Sequence, residues 1–215
     1  VGFDMGSGSG RWSYFVCDKV KSLTLIEPSQ KALFASKKLL KKKKNINFIN
    51  ATVSDAETIL KDQKFDFGYS IGVLHHVPDT LEALKSCRSL LKSGAPFLIY
   101  LYYDFENKGI LFKLIWRLTV PLRLIISRLP QKLKYFISDL IAYSIYFPIR
   151  QILKMLRLLH FDIESLPLSN YVNKSLQTLR TDSYDRFATR IEKRYSRSQI
   201  IKMLHKAGFK FSKFS

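Results

Sequence analysis

Short apolar runs alternate with longer amphipathic stretches along the first hundred residues. The runs are rich in β-branched and aromatic residues, and the first four lie at 1–5, at 23–27, at 46–51 and within 64–79. Between them, apolar residues recur at the spacing of one helix face. Alternation of this kind is typical of a parallel sheet that is covered by helices. The pattern therefore predicts an α/β fold with a doubly wound, mostly parallel sheet.

After residue 103, long amphipathic helical stretches replace this alternation. One predicted helix face carries Leu111, Leu114, Ile115, Leu118, Leu122, Ile125, Ile126 and Leu129. Pro121 is expected to kink or split this helix, because proline lacks the amide hydrogen and clashes with the preceding turn. A second amphipathic helix is expected after Pro148, with apolar residues on one face and Arg150, Lys154 and Arg157 on the other.

Basic amphipathic helices of this kind either cover a core or lie on an anionic membrane surface, and both interpretations are open. Charged residues interrupt every apolar run before it reaches the roughly 18 residues that are needed to span a bilayer. The sequence therefore disfavours a membrane-spanning helix and leaves surface association open.

Glycines alternate with serines at the end of the first apolar run, in Gly6-Ser7-Gly8-Ser9-Gly10. Glycine lets the backbone turn sharply and lets a ligand approach where a β-carbon would collide. A helix predicted at 11–20 would present its N-terminus to such a ligand. A tight strand-to-helix turn without a ligand is the alternative. A dinucleotide fingerprint would need glycine at position 11, which is Arg11, so a nicotinamide dehydrogenase is disfavoured.

Asp4 and the three glycines form the pattern D-x-G-x-G-x-G, which resembles motif I of the class I S-adenosylmethionine-dependent methyltransferases. The stretch 64–79 resembles the strand-four motif of the small-molecule members, and 90–100 resembles their helix-turn-strand into strand five. The resemblance covers 1–103 well and 196–215 loosely. It implies a Rossmann-like sheet with a helical insertion after strand five, in a fragment that lacks the N-terminal helix and the last strand.

The resemblance also implies a site for S-adenosylmethionine along the carboxyl ends of the strands. Glu27 ends the second strand, where the family's acid accepts hydrogen bonds from two ribose hydroxyls. Asp55 follows the third strand, where the family places a carboxylate near the adenine amino group. The expected cofactor-binding residues are Asp4, Gly6, Ser7, Gly8, Gly10, Glu27, Asp55, Ala56, Ser70 and Gly72.

His75 and His76 stand just beyond the fourth strand and are the candidates for a catalytic base, because histidine titrates near neutral pH. Alternatively, one of them packs against or caps the following helix while the other faces solvent. Methyl transfer from a sulfonium is an in-line displacement, so no nucleophile on the enzyme is required. The chain reads Ser70-Ile71-Gly72-Val73 where amino-directed nucleic-acid methyltransferases carry an Asp/Asn-Pro-Pro-aromatic box, which favours O- or C-directed transfer.

A second polar cluster, at 180–195, is dense in arginine, aspartate and tyrosine. Arginine forks suit carboxylates and phosphates, so the cluster is a candidate lid over the methyl acceptor, with Asp182 and Asp185 holding the arginines. The candidate acceptor-binding residues are Tyr184, Arg186 and Arg190. A self-satisfied network that docks the insertion onto the sheet is the alternative, and the two are compatible.

These patterns predict three segments. Residues 1–103 form the cofactor-binding core, 104–195 form a helical and polar insertion that acts as a substrate cap, and 196–215 add the last helix and a sixth strand. Within the insertion, 108–160 are expected to form helices that cover the acceptor side of the sheet and expose an apolar or basic face.

The net charge of +19 predicts attraction to an anionic partner: nucleic acid, a membrane face or an acidic substrate. The run Lys41-Lys42-Lys43-Lys44 also fits a helix C-terminus, where cations are favourable. Cys17 and Cys87 lack metal-ligand spacing, so the sequence predicts neither a metal site nor a disulfide framework, and it favours a reducing cytoplasm.

The leading hypothesis is S-adenosylmethionine-dependent methyl transfer to a small-molecule acceptor, lipid-like or related to the cell envelope. The enzyme is expected in the cytoplasm, with association to an anionic membrane surface left open. An RNA-directed methyltransferase, favoured by the charge, and a cofactor-binding scaffold without turnover are the alternatives.

Overall fold

A computed structural model describes residues 1–106, 109–164, 166, 168–210 and 212–214, without the side chains of Leu111, Phe112 and Ile115. The chain divides into two compact units. The sheet unit comprises Val1–Asp104 and Lys193–Ser215, and the helical unit comprises Phe105–Glu192.

Five parallel strands form the sheet of the sheet unit. They are β1 (Gly2–Met5), β2 (Leu23–Ile26), β3 (Ile46–Ile49), β4 (Phe67–Ile71) and β5 (Phe97–Tyr100). Their order is β3-β2-β1-β4-β5, and all four neighbouring pairs are parallel. The chain therefore reverses its direction of winding between β1 and β4, which is where ligands of such sheets bind. The predicted fold class is confirmed, although the third strand ends at Ile49 rather than at Ala51.

Nine helices flank or follow these strands in the described residues. They are α1 (Ser13–Val16), α2 (Gln30–Leu39), α3 (Val53–Ile59), α4 (Thr80–Ser89), α5 (Ile110–Ile126), α6 (Gln131–Ile141), α7 (Phe147–Leu158), α8 (Leu176–Ala188) and α9 (Arg197–Lys206). Side chains cap several of them. Asp79 accepts hydrogen bonds from the backbone N–H groups of Leu81 and Glu82 at the start of α4, at 2.9 and 3.1 Å.

The helix after the glycine loop is shorter than predicted. Four residues are α-helical, and a 3-10 turn follows at Cys17–Lys19. A helix of one turn has few aligned peptide dipoles, so it adds little attraction for an anionic ligand. Any ligand of the glycine loop must therefore be held by the loop backbone and by nearby side chains.

Side chains alternate between the two faces of the sheet. Phe3 and Met5 pack into the larger core, whereas Leu25 and Tyr69 pack into a second core on the opposite face. Asp4 lies between Phe3 and Met5 and is in register with Leu25 and Tyr69, so its side chain lies on their face. A carboxylate is thereby built into an apolar layer.

The helical unit has its own core, in which α8 packs against α6 and α5. This core contains Ile126, Ile141, Tyr146, Leu179 and Phe187. Pro121 lies inside α5, and the helix is not split there, because one proline removes a single backbone hydrogen bond and the neighbouring bonds remain. A π-helical turn, Ala142–Tyr146, joins α6 to α7.

The sixth strand, predicted from Phe209 to Ser215, is not found in the described part of that segment. Residues 209, 210 and 212–214 are irregular, and Phe211 and Ser215 lie outside the described residues. The ring of Phe209 instead stacks on the ring of Phe97 in β5, with centroids 5.6 Å apart. Ring packing holds this residue near β5 without the ladder of backbone hydrogen bonds that defines a strand.

Candidate functional site at the strand ends

The glycine loop turns directly at the ends of β1 and β2. The backbone N–H groups of Gly6 and Ser7 donate hydrogen bonds to the carbonyl of Ile26, at 2.8 and 3.2 Å. Gly6 has φ +77°, and a β-carbon there would lie 2.4 Å from a methyl group of Val73. The loop is therefore pressed against the segment that follows β4, and this position excludes any side chain.

Glu27 connects the loop to the turn after β2. Its Oε2 accepts a hydrogen bond from the Gly8 backbone N–H at 2.8 Å, and its Oε1 accepts one from the Ser29 N–H at 2.9 Å. The side chain is buried. A carboxylate has about four acceptor positions, so two remain for hydroxyl groups of a ligand. Glu27 is therefore both fixed in place and still able to accept hydrogen bonds.

Gly8 and Gly72 border open space. Both have positive φ, +55° and +78°, and a β-carbon at either position would meet no atom within 4 Å. Ser7, beside Gly8, is buried, and its hydroxyl has no hydrogen-bond partner among the described residues. Buried hydroxyls without a partner are uncommon, so this one fits a polar ligand at the loop.

Ser70 holds the ends of β4 and β1 together. Its hydroxyl donates to the carbonyl of Met5 at 2.8 Å, and the residue is buried. The backbone N–H of Gly72 donates to the carbonyl of Tyr100 in β5 at 3.1 Å. The ends of β1, β4 and β5 are thus fixed relative to each other beside the switch point.

A family model described as a methyltransferase domain matches residues 3–99. The match includes β1 to β5 apart from the end residues Gly2 and Tyr100, and it contains every other residue described above as lining the strand ends. Over these residues the chain is similar to a methyltransferase domain. A search of curated proteins found no significant match.

Solved structures with similar segments include a putative sarcosine dimethylglycine methyltransferase from Galdieria sulphuraria, with 23% identity over 42% of this chain and 35% of that chain and a TM-score of 0.39. The YcgJ protein from Bacillus subtilis is 20% identical over 57% of this chain and 51% of its own, with a TM-score of 0.46. The N-methyltransferase NodS from Bradyrhizobium japonicum, in complex with S-adenosyl-L-homocysteine, is 19% identical over 42% and 46%, with a TM-score of 0.40. The chain spans about a third to a half of the length of these proteins.

Asp4 of the methyltransferase domain is bonded within the protein. Its Oδ2 accepts a hydrogen bond from the hydroxyl of Ser13 at 2.5 Å, and Tyr69 lies on the other side of that hydroxyl at 3.4 Å. Burial raises the pKa of Asp4 to about 7, an effect that the hydrogen bonds from Ser13 and Tyr69 partly oppose. Asp4 therefore ties the strand to the start of α1 and positions the loop between them.

Asp4→Asn should remove a pH-dependent loss of stability. The folded-state pKa of about 7 lies above the unfolded value of 3.8, so ionisation disfavours the folded state and stability falls as pH rises from about 4 to about 7. Urea unfolding at pH 5 and pH 7.5 measures the unfolding free energy at each pH. Between these two values the parent should lose more stability than the variant, by on the order of 2–4 kcal/mol. Identical pH dependence in the two proteins would contradict the burial of this charge.

Asp55 has a structural role in the methyltransferase domain. Its Oδ2 accepts hydrogen bonds from the backbone N–H and the hydroxyl of Thr52, at 3.3 and 2.7 Å, and Thr52 in turn caps α3. Asp55 is exposed, and Ala56 is buried in the larger core. The amide of Asn50, which sequence reasoning missed, donates to the carbonyls of Glu27 and Pro28 at 2.8 and 2.9 Å and so orders the turn beside Glu27.

The two histidines have different environments. His75 is fully buried, stacks on Tyr102 with centroids 3.8 Å apart, and has no hydrogen-bond partner for either ring nitrogen among the described residues. Burial, with smaller effects from His76 and Arg194, lowers the pKa of His75 to about 3. His76 is half-buried, with its ring 4.1 Å from that of His75.

A segment distant in sequence completes the surroundings of His75. The N–H of Lys193 donates to the carbonyl of His75 at 3.0 Å, and Tyr103 pairs with Tyr195 in an isolated parallel bridge. The guanidinium of Arg194 lies 4.9 Å from the ring centroid of Tyr102. The sequence pattern predicts 193–195 as part of the insertion and gives no sign of the roles of Tyr102 and Arg194, because no local pattern links residues ninety positions apart.

The helical unit contains the candidate acceptor-binding residues. The hydroxyl of Tyr184 accepts a hydrogen bond from Gln131 at 2.5 Å, and its ring stacks on that of Tyr135. Arg186 donates to the hydroxyl of Thr119 at 2.9 Å, and Arg190 is exposed just after α8.

Burial raises the pKa of Asp185 to about 6, and the charge of Asp182 adds to the shift. On the same helix, Arg180 forms an ion pair with Asp139, with two contacts of 2.7 Å.

A groove of about 700 Å³ lies along β5 in the sheet unit. Its lining includes Leu98, Tyr100, Leu204, Phe209 and Lys213. None of the expected cofactor-binding residues contributes to this groove, so it is separate from the candidate site at the strand ends. No group of three or more His, Cys, Asp or Glu side chains in the described part of the chain could hold a metal ion.

Proposed function

We propose that this chain binds S-adenosylmethionine at the ends of β1, β2 and β4 and transfers its methyl group to an oxygen or carbon of a small-molecule acceptor. The observation that carries the proposal is Glu27, which is fixed by the N–H groups of Gly8 and Ser29 and keeps free acceptor positions. Open space at Gly8 and Gly72 and the unpartnered Ser7 hydroxyl support it.

The cofactor would supply an activated methyl group on a sulfonium, and the protein's task is alignment. Glu27 would accept hydrogen bonds from the ribose hydroxyls, and the loop at Gly8 would pass close to the ligand. The Ser7 hydroxyl would form a hydrogen bond with the polar end of the ligand. Asp55 would border the adenine with Ala56 packed behind it in the larger core, and Asp4 would hold the glycine loop in position. The acceptor would approach from beyond β4, where Gly72 leaves room.

We assign different roles to the two histidines. A pKa near 3 makes His75 a weak base, so proton removal from the acceptor falls to His76. The ring nitrogens of His75 are buried and without partners, and a polar acceptor atom would satisfy one of them.

Calorimetric titration with S-adenosylmethionine and with NAD tests the cofactor assignment. We expect binding of S-adenosylmethionine and of its demethylated product, with no comparable binding of NAD. A preference for NAD would overturn the assignment. If S-adenosylmethionine binds, mass spectrometry of ligands that co-purify with the protein would identify the acceptor.

We further propose that Tyr184, Arg186 and Arg190 recognise the acceptor and that it carries an acidic group. Arg186→Ala and Arg190→Ala should lower kcat/KM for the acceptor roughly tenfold to a hundredfold, because a hydrogen bond to a charged group contributes about 1.5–3 kcal/mol. Cofactor affinity should be unchanged. Arg186→Lys should also raise KM, since lysine keeps the charge and loses the planar pair of donors.

Arg180→Ala is the matched control on the same helix. Arg180 pairs with Asp139, so its loss should lower the thermal stability and leave the kinetics unchanged. If Arg186→Ala and Arg190→Ala behave like this control, these arginines brace the helical unit and do not bind the acceptor.

We propose a cytoplasmic enzyme whose acceptor is lipid-like or related to the cell envelope and which works at an anionic membrane surface. Large apolar side chains of the helical unit are exposed, which supports this assignment. Both cysteines are unpaired, as is usual in a reducing compartment. No helix in the described residues is long and apolar enough to cross a membrane.

A further inference from the structure

An apolar stripe runs along the exposed side of α5. Its members are Ile110, Leu114, Leu118, Leu122 and Ile125, whose exposed fractions lie between 45% and 87%. At 100° per residue they share an arc of about 120°, and at 1.5 Å per residue the stripe is about 22 Å long. Ile126, which follows directly, is buried in the core of the helical unit. The helix thus buries one side and leaves a second apolar side without a protein partner in the described residues.

The predicted apolar face of α7 is divided in the same way. Ile149, Leu153 and Leu156 pack into a small core, whereas Ile152 and Leu159 are exposed, together with Met155 and Leu158. A helix that only covers a core would bury its whole apolar stripe. Both α5 and α7 therefore expose apolar side chains that do not take part in the cores of the helical unit.

The charges around these faces are almost all positive. Residues 110–158 contain nine lysines and arginines and one acidic residue, Asp139. Asp139 is paired with Arg180. Lys113 and Arg117 are exposed along one border of the α5 stripe, and Arg128 is exposed just after the helix. An apolar ridge with a basic border is complementary to an interface that combines anionic groups with hydrocarbon.

The shape of the stripe favours a bilayer over a protein. A single exposed helix face is convex, and a folded partner would need a matching groove, whereas lipid deforms around a ridge. Because no helix of the described residues could cross a membrane, α5 would lie in the plane of the interface.

We propose that the helical unit docks on the surface of an anionic bilayer through α5. The stripe from Ile110 to Ile125 enters the boundary between headgroups and acyl chains, and Lys113, Arg117 and Arg128 lie among the headgroups. The proposal rests on the proposed function insofar as docking brings the methyltransferase domain to a lipid-like acceptor, and it names the surface that does so.

Vesicle flotation of the whole chain tests the docking. We expect flotation with vesicles of phosphatidylcholine mixed with phosphatidylglycerol, weak flotation with phosphatidylcholine alone, and a loss of binding as salt increases. Leu118→Glu combined with Leu122→Glu should lower the partition more than tenfold. Lys113→Gln combined with Arg117→Gln, which changes no buried contact, should lower it about fivefold per charge. Ile59→Glu, at an equally exposed position of α3 in the sheet unit, is the control and should bind as the parent does.

Three results would overturn the proposal. They are the absence of flotation at low salt, equal binding to both kinds of vesicle, and self-association or RNA binding that the Leu118 and Leu122 substitutions abolish without any vesicle binding. Calorimetry with S-adenosylmethionine on the same variants keeps the two proposals apart. Unchanged cofactor affinity with lost flotation separates docking from catalysis, and a parent protein that floats but does not bind S-adenosylmethionine would count against the methyl-transfer proposal alone.

Discussion

Glu27→Ala should lower the affinity for S-adenosylmethionine tenfold to a hundredfold. The variant loses a charged acceptor for two ribose hydroxyls, a loss on the order of 1.5–3 kcal/mol. It also frees the Gly8 and Ser29 N–H groups that the carboxylate now holds, so the loop loses its fixed position. Isothermal titration calorimetry measures the affinity, and thermal unfolding measures the accompanying loss of stability.

Glu82→Ala is the matched control for this experiment. Glu82 is a glutamate of the same sheet unit whose exposed carboxylate pairs with Lys85, so its loss removes the same charge far from the loop. Its cofactor affinity should equal that of the parent. An unchanged affinity in Glu27→Ala would remove Glu27 from the cofactor site.

Gly6→Ala should destabilise the protein by about 2–5 kcal/mol. A residue with a β-carbon in the left-handed region is strained by roughly 1–2 kcal/mol, and forcing a methyl group against a packed side chain adds about 1–3 kcal/mol. At Gly6 both effects apply, since φ is +77° and Val73 would lie 2.4 Å from the new carbon. Urea unfolding at neutral pH gives the free energy of unfolding.

Gly8→Ala separates the packing role of the loop from its binding role. Its β-carbon meets no atom within 4 Å, so the expected loss of stability is about 1–2 kcal/mol from backbone strain alone. The new methyl group would instead occupy the space in which a ligand approaches the loop, and cofactor binding should fall. A Gly6→Ala protein as stable as Gly8→Ala would contradict the close contact with Val73.

Local sequence patterns identified most of the sheet unit. The five strands, the glycine loop and Glu27 at the end of β2 all depend on residues within a few positions of each other. Such features follow from backbone preferences and short-range hydrogen bonds, which a motif records directly. Predictions that depended on neighbours outside the segment were less accurate. The helix α1 is shorter than predicted, α5 is not split at Pro121, and the described residues after Phe209 are irregular rather than a strand.

The exposure of the amphipathic helices could not be predicted from their periodicity. The spacing of Leu114, Leu118 and Leu122 indicates an apolar face, and that face is equally suited to a protein core and to a membrane surface. The exposure of these side chains depends on the packing of α5 against α8, which buries Ile126 and leaves the stripe outside. Helical periodicity gives the direction of an apolar face but not its partner.

By itself, the sequence determined the class of fold, the methyltransferase motif and which candidate residues follow each strand. These features depend on chemistry that is local along the chain. The tertiary structure alone decided what each residue does in its surroundings. Asp4 acquires a raised pKa because the pleat turns it into an apolar layer, and His75 a lowered one because Tyr102 and the distant segment 193–195 enclose it. Burial and long-range contacts set the free energy of ionising a side chain, and neither can be predicted from the spacing of residues along the chain.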